Sequence, residues 1–331
     1  MKKFFILMAM ALPVCLFSAC GDDDDGGGAS AGGSISSGAT EIADDNGKAL
    51  RLVSDGMFSY LYDSENRLTS LTYGSAVYPI TPEPFKMLIE DGGDKAEITA
   101  DFNDKGYMSK MVADYSYKDE YMSSTGQIVY NFQYDSSSKL IKVTGNATEK
   151  VNEEGYKYSC SGSLDFTPKW NGDVLMGYDG ISKGKDDGES YTETMKITYS
   201  YGSDVANKYR QYTHALKFFE VDPFQMFATV GLLGKTSSKL PTSGDSEYEE
   251  KYSGEDPYTE KEHHEFAYSF NSNGTVAVET IDKYTKYVYT YSDNNSAKIA
   301  PYAAVVGAEK MDVKKLVSSF RISKRRHHVS K

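Results

Sequence analysis

Few residues in this 331-residue chain have types and spacings suited to chemistry. His263-His264-Glu265 suggests metal ligation. Neighbours on a strand point to opposite faces, however, and the spacing that sets two His on one helix face is missing. A solvated strand edge is expected there. Thr229-Val230-Gly231-Leu232-Leu233-Gly234-Lys235-Thr236 approaches a phosphate-binding loop, but Thr229 occupies the place of its first glycine, and no parallel βα unit surrounds it. A glycine-rich turn in a cap is expected instead. Cys160, in Tyr158-Ser159-Cys160-Ser161, would need a nearby His to act as a nucleophile, and its setting is that of a small strand residue. Carboxylates are abundant enough to imitate a glycosidase dyad, but the sequence singles out no pair. Trp170, in Pro168-Lys169-Trp170-Asn171-Gly172, and exposed Tyr offer stacking faces for sugar rings, although a Trp beside a turn also reads as the edge of a core. The sequence assigns no catalytic residue, cofactor or metal ligand.

The elements that would position such residues have a period of two. Phe58, Tyr60 and Tyr62 alternate with Ser59, Leu61 and Asp63; Ile98, Ala100 and Phe102 alternate with Thr99 and Asp101. Ile128, Tyr130, Phe132 and Tyr134 form a longer stripe, as do Met195, Ile197, Tyr199 and Tyr201. Phe266, Tyr268 and Phe270, then Tyr287, Tyr289 and Tyr291, complete the set. Apolar faces backed by polar ones predict half-buried antiparallel strands. Asp/Asn-rich turns follow at fixed places: Asp63 to Asn66, Asn103 to Gly106, Asp135 to Ser138 and Asn271 to Gly274. The pivots Tyr62, Phe102, Tyr134, Phe166 and Tyr201 lie 40, 32, 32 and 35 residues apart, as in a meander of successive hairpins. His214 to Pro241 breaks the rhythm. Pro223 and Gly231 bracket a short helix or helical turn, read as a plug or cap over one end of the β-structure.

The chain starts with an address. Lys2 and Lys3 precede an apolar run from Phe4 to Phe17, followed by Ser18-Ala19-Cys20. This is the layout of a secretory signal over residues 1–19. Cys20 resembles the lipidated cysteine of bacterial lipoproteins. Asp22, Asp23, Asp24 and Asp25 then open a flexible, glycine-rich tether over residues 20–45. They resemble the surface-export signal of lipoproteins from some Gram-negative gut bacteria, which implies the outer leaflet, facing outward. With Cys15 lost with the leader and Cys20 acylated, Cys160 remains alone and no internal disulfide is expected.

Net charge is −12 overall, and −14 once Lys2 and Lys3 leave, with 34 basic residues against 48 acidic ones. An acidic chain argues against a nucleic-acid partner, whose phosphates need Lys and Arg. The segment Gly231-Leu232-Leu233-Gly234-Lys235-Thr236-Ser237-Ser238-Lys239-Leu240-Pro241, with the aromatic-Asp/Asn turns around it, resembles a family of bacterial lipoproteins. That family has a porin-like fold and no assigned function. The resemblance spans roughly residues 50–295, implies a barrel-like antiparallel sheet and supplies no enzymatic residues.

The expected fold is all-β: a many-stranded antiparallel meander forming a barrel-like or strongly curved sheet, with a short helical insert near 214–234. Residues 46–300 form this domain. Residues 301–331 form a C-terminal segment whose basic end, Lys324 to Lys331, is expected to be solvated. The aromatic stripes are expected to face an interior rather than lipid, because the linking segments are heavily charged and mean hydropathy is −0.52. The leading functional reading is a non-enzymatic, outer-membrane, surface-exposed lipoprotein. Its expected partners are the membrane, through the lipid on Cys20, and a glycan or another envelope protein. The alternatives are a surface glycan hydrolase using a carboxylate pair and an outer-membrane pore.

Overall fold

The computed structural model describes residues 42–43 and 49–293, except 66, 75, 92–93, 119, 121, 203–204, 217–226 and 228–229. The leader, Cys20, Asp22 to Asp25, the tether to residue 41 and the tail from residue 294 lie outside the described residues.

The strands are β1 (Ile42–Ala43), β2 (Ala49–Ser54), β3 (Phe58–Tyr62), β4 (Leu68–Tyr73), β5 (Ala76–Thr81) and β6 (Lys86–Asp91). Next come β7 (Asp94–Phe102), β8 (Met108–Lys118), β9 (Met122–Tyr134), β10 (Leu140–Glu153), β11 (Tyr156–Asn171) and β12 (Val174–Asp186). The last are β13 (Glu189–Ser200), β14 (Ser243–Tyr252), β15 (Tyr258–Phe270), β16 (Val276–Ile281), β17 (Thr285–Val288) and β18 (Thr290–Asp293). The last two are halves of one strand broken at Tyr289, whose amide continues the ladder to the Ala277 carbonyl at 3.0 Å. Counted so, the described residues form 17 antiparallel strands in one nearly closed, barrel-shaped sheet. From β2 onward each strand pairs with its successor, and β18 returns to β2 through Asp293↔Leu50 and Thr290↔Ser54. The expected all-β meander is therefore what the chain forms.

The aromatic stripes face inward, except at the end of β15, where Phe270 is 42% exposed. Ile128, Tyr130 and Phe132 are buried in the core, as are Phe58, Tyr60, Ile98 and Tyr199, while their neighbours in the strand point out. At the stripe ends the turns share one wiring. The amide at the first Asp or Asn donates to the carbonyl four residues on: Asp63 to Arg67 at 2.9 Å, Asn103 to Tyr107 at 2.8 Å, Asp135 to Lys139 at 3.0 Å and Asn271 to Thr275 at 2.9 Å. In the first three turns the side-chain oxygen takes the return amide, at 2.9, 3.0 and 2.9 Å. An Asp or Asn side chain thus closes the turn in place of a longer backbone ladder.

Inward glycines make room for rings. Gly145 lies opposite Tyr130, and a Cβ there would come within 2.5 Å of the ring. Gly126 stands likewise opposite Tyr115, at 2.4 Å. Alternating large and small residues is how a curved interior is filled.

The segment between β13 and β14 fills the rest. Tyr212, Leu216, Phe227, Leu232, Leu233 and Leu240 are at most 2% exposed and join the strand side chains in one core. This is the expected plug. Of the helical insert near 214–234, the described part contains a 3-10 turn, His214–Leu216, and the Gly231 turn; 217–226 and 228–229 lie outside the described residues.

The barrel is lopsided. Strands β9 to β12 have 13 to 16 residues, against 5 or 6 in β2 to β6. At the end holding the Asp/Asn turns and the plug the strands finish together, so the excess projects from the other end, by roughly 25 Å of strand. Leu50 and Asp293, paired with each other, sit at the plugged end.

Candidate functional site

The singled-out residues scatter across this frame. His263 and His264 point to opposite faces of β15, as expected: His263 Nδ1 lies 2.8 Å from Asp245 and His264 Nδ1 2.6 Å from Asp282. Both are partnered by surface carboxylates across the ladder. Cys160 is a half-buried strand residue whose Sγ lies 2.8 Å from Asp186 Oδ1. Trp170 packs against the core edge and donates from its indole to the Leu140 carbonyl at 2.9 Å. The Gly231–Thr236 stretch is a turn of the plug, with Leu232 and Leu233 buried and the Lys235 amide donating to the Ser138 carbonyl at 2.8 Å.

A first polar cluster lies where the plug meets β16 to β18. The Glu279 carboxylate accepts the His214 amide at 2.6 Å, the Ala215 amide at 2.8 Å and the Tyr289 hydroxyl at 2.8 Å. Burial pushes its pKa up to about 6. His214 Nε2 is 3.1 Å from the Asp55 carbonyl, and the imidazole stacks on Tyr287. Gln211 accepts the Val276 amide at 2.7 Å and donates to the Tyr291 hydroxyl. These groups are spent on one another, and their effect is to seat the plug. No sequence motif announced them, since the plug residues Gln211, His214 and Ala215 lie 64 to 159 residues from their partners.

A second cluster lines the inner face of the long strands. Glu193 lies between Ser182 and Glu250 in register, is 1% exposed and accepts the Tyr248 hydroxyl at 3.0 Å. Its other oxygen, beside Ser182, has no hydrogen-bond donor of good geometry among the described residues. Desolvation, with the Glu250 charge added, raises its pKa to about 8. A protonated acid facing a second carboxylate is the electrostatic layout of a glycosidase pair. At 1% exposure, however, Glu193 gives a sugar ring no access.

Apart from outward Glu249 on β14 and Asp114 on β8, charge is sorted by face on this projecting wall. Glu149, Asp186, Glu193 and Glu250 take inward positions, whereas Lys118, Lys150, Lys157, Lys183 and Lys185 are exposed on outward ones. Outward Asp165 and Asp179, lower on the wall, already pair with Lys142 and Lys169 at 2.7 and 2.5 Å.

On that outward face lies a groove of about 690 Å³. It crosses β8 to β11 along the register row Tyr117↔Ser124↔Val151↔Tyr158. Ser116, Thr125, Lys150 and Ser159 edge one side; Lys118, Ser123, Asn152 and Lys157 edge the other. Three cations, hydroxyls and an amide therefore surround a space over backbone whose hydrogen bonds are already taken by the ladder. Such a lining can hold charge and hydroxyl groups. Sequence reasoning passed over it because its residues, read singly, are ordinary solvent-facing positions.

No family model and no curated protein matches the chain. Solved structures similar to it include two porin-like proteins. One is a porin-like protein from Bacteroides uniformis, at 15% identity and a TM-score of 0.38, covering 77% of this chain and 95% of that one. The other is a porin-like protein from Bacteroides vulgatus, at 12% identity and a TM-score of 0.43, covering 80% and 99%.

Proposed function

We propose that this protein is a non-enzymatic binding component of the bacterial cell envelope, held at the outer membrane by lipid on Cys20 and facing outward. In this reading Asp22 to Asp25 direct export, the tether leads to the plugged end, and the groove on the projecting wall meets the ligand. One observation carries it. The long strands turn serine, threonine, asparagine and lysine outward and keep their apolar face inside, around a plug. A barrel whose wall meets lipid needs the reverse, an outward apolar band. A wall built for water, on a chain carrying an export address, suits a tethered binder better than a channel.

Solubility tests this directly. The chain from residue 30 onward should fold and stay monodisperse without detergent, and full-length protein should give no ion conductance in planar bilayers. Insolubility relieved only by micelles would sink the reading. Labelled palmitate should enter the wild-type chain and not Cys20→Ser, and protease added to whole cells should reach the wild type but not the Asp22 to Asp25→Ala variant.

A further inference from the structure

We infer that the groove across β8 to β11 binds an extended acidic polysaccharide, its carboxylates held by Lys118, Lys150 and Lys157; this rests on the reading of the groove as the ligand-contacting surface. Charge makes the first part of the case. The chain is acidic overall, at −12, yet no carboxylate lines the groove. Among the described residues, the side chains of Lys118, Lys150 and Lys157 form no ion pair, whereas Lys86, Lys139, Lys142, Lys169 and Lys261 all do. Three cations without an ion-pair partner among the described residues thus meet at the groove, and Lys183 and Lys185 continue the strip on the next strand. Long flexible ammonium groups at such spacing suit a polymer bearing repeated negative charges.

Polyhydroxyl character comes from what lies between the lysines. Serine, threonine and asparagine side chains both donate and accept, as ring hydroxyls do. Asn152 Oδ1 is buried without a hydrogen-bond donor among the described residues, and a sugar hydroxyl would supply one. An added peptide strand is disfavoured, because the groove crosses paired strands and exposes no row of unpaired backbone groups. Four strands span about 15 Å, enough for a short run of sugar units.

Isothermal titration of full-length protein in detergent separates the outcomes, using oligogalacturonate, its methyl-esterified neutral form, and poly-L-glutamate. Oligogalacturonate should bind. The combined Lys118→Gln, Lys150→Gln and Lys157→Gln variant, whose melting temperature should be unchanged, should bind roughly tenfold more weakly or worse. Esterifying the ligand and raising salt should each weaken binding as well. Equal affinity for the neutral ester would overturn the acidic class while leaving a glycan-binding groove in place. Equal affinity for poly-L-glutamate would replace the glycan by an acidic peptide. Undiminished binding in the triple-lysine variant, or no binding of oligogalacturonate at all, would overturn the assignment of the groove; ion conductance would instead remove the proposed function itself.

Discussion

Gly145 and Tyr130 face one another across the β9–β10 ladder so closely that a Cβ on the glycine would lie 2.5 Å from the ring carbon Cε1. The ring occupies the space that a side chain on the next strand would fill. Gly145→Ala should therefore lower stability by about 1–3 kcal/mol through overpacking. Urea denaturation measures this, and Tyr130→Leu in the same chain should recover part of the loss. An unchanged or raised midpoint in Gly145→Ala would show that the ring moves aside at no cost.

Glu193 gives the protein a pH dependence of definite sign. Its folded pKa, about 8, stands above the ordinary carboxylate value of 4.5, so the folded state holds the extra proton between those limits. Stability from this group is fully present below about pH 4.5 and is lost as pH rises through 8. Melting temperature should fall across that window more steeply in the wild type than in Glu193→Gln. The variant should be the more stable at pH 9, and the two should converge near pH 4. A wild type that gains on the variant as pH rises would refute the protonated, buried Glu193.

Seating of the plug depends on Glu279. Truncation to Ala strands the buried amides of His214 and Ala215 together with the Tyr289 hydroxyl. A loss of about 2–4 kcal/mol is expected, because unmade buried hydrogen bonds cost their full desolvation. Chemical denaturation tests it; a loss under 1 kcal/mol would mean that the plug does not lean on this carboxylate.

Arg210 latches the plug to the turn between β11 and β12. It reaches Asp173 Oδ2 at 2.7 Å and the carbonyls of Asp173 and Thr236 at 3.2 Å each. The guanidinium lowers the Asp173 pKa. Since Asp173 is half exposed, Arg210→Ala should cost only about 1 kcal/mol globally. Amides of residues 230–240 should nonetheless exchange faster than those of β9 and β10. Uniform exchange rates across both regions would show that the latch is dispensable.

Much of the fold was legible because it is written in local periods. Tyr130 and Phe132 declare an inward face by alternating with Asn131 and Gln133, and the β9 ladder obeys. Asp63, Asn103 and Asp135 announce turns because each side chain can reach an amide four residues on. The plug was legible as a break in that rhythm. Its seating was not, since Gln211 meets Val276 and Tyr291 only after the strands between them have paired.

The sequence by itself determined the strand pattern, the turns and the segment that fills the barrel. Each depends on residues within a few positions of one another. Tertiary structure decided which residues form sites. Glu193 is shifted because it is buried beside Glu250 on a neighbouring strand, and Lys118, Lys150 and Lys157 share a groove because the register of four strands aligns them. Burial and register are properties of the assembled sheet. A single strand, whose lysines and glutamates merely alternate, has no means of recording which of its faces will be dry.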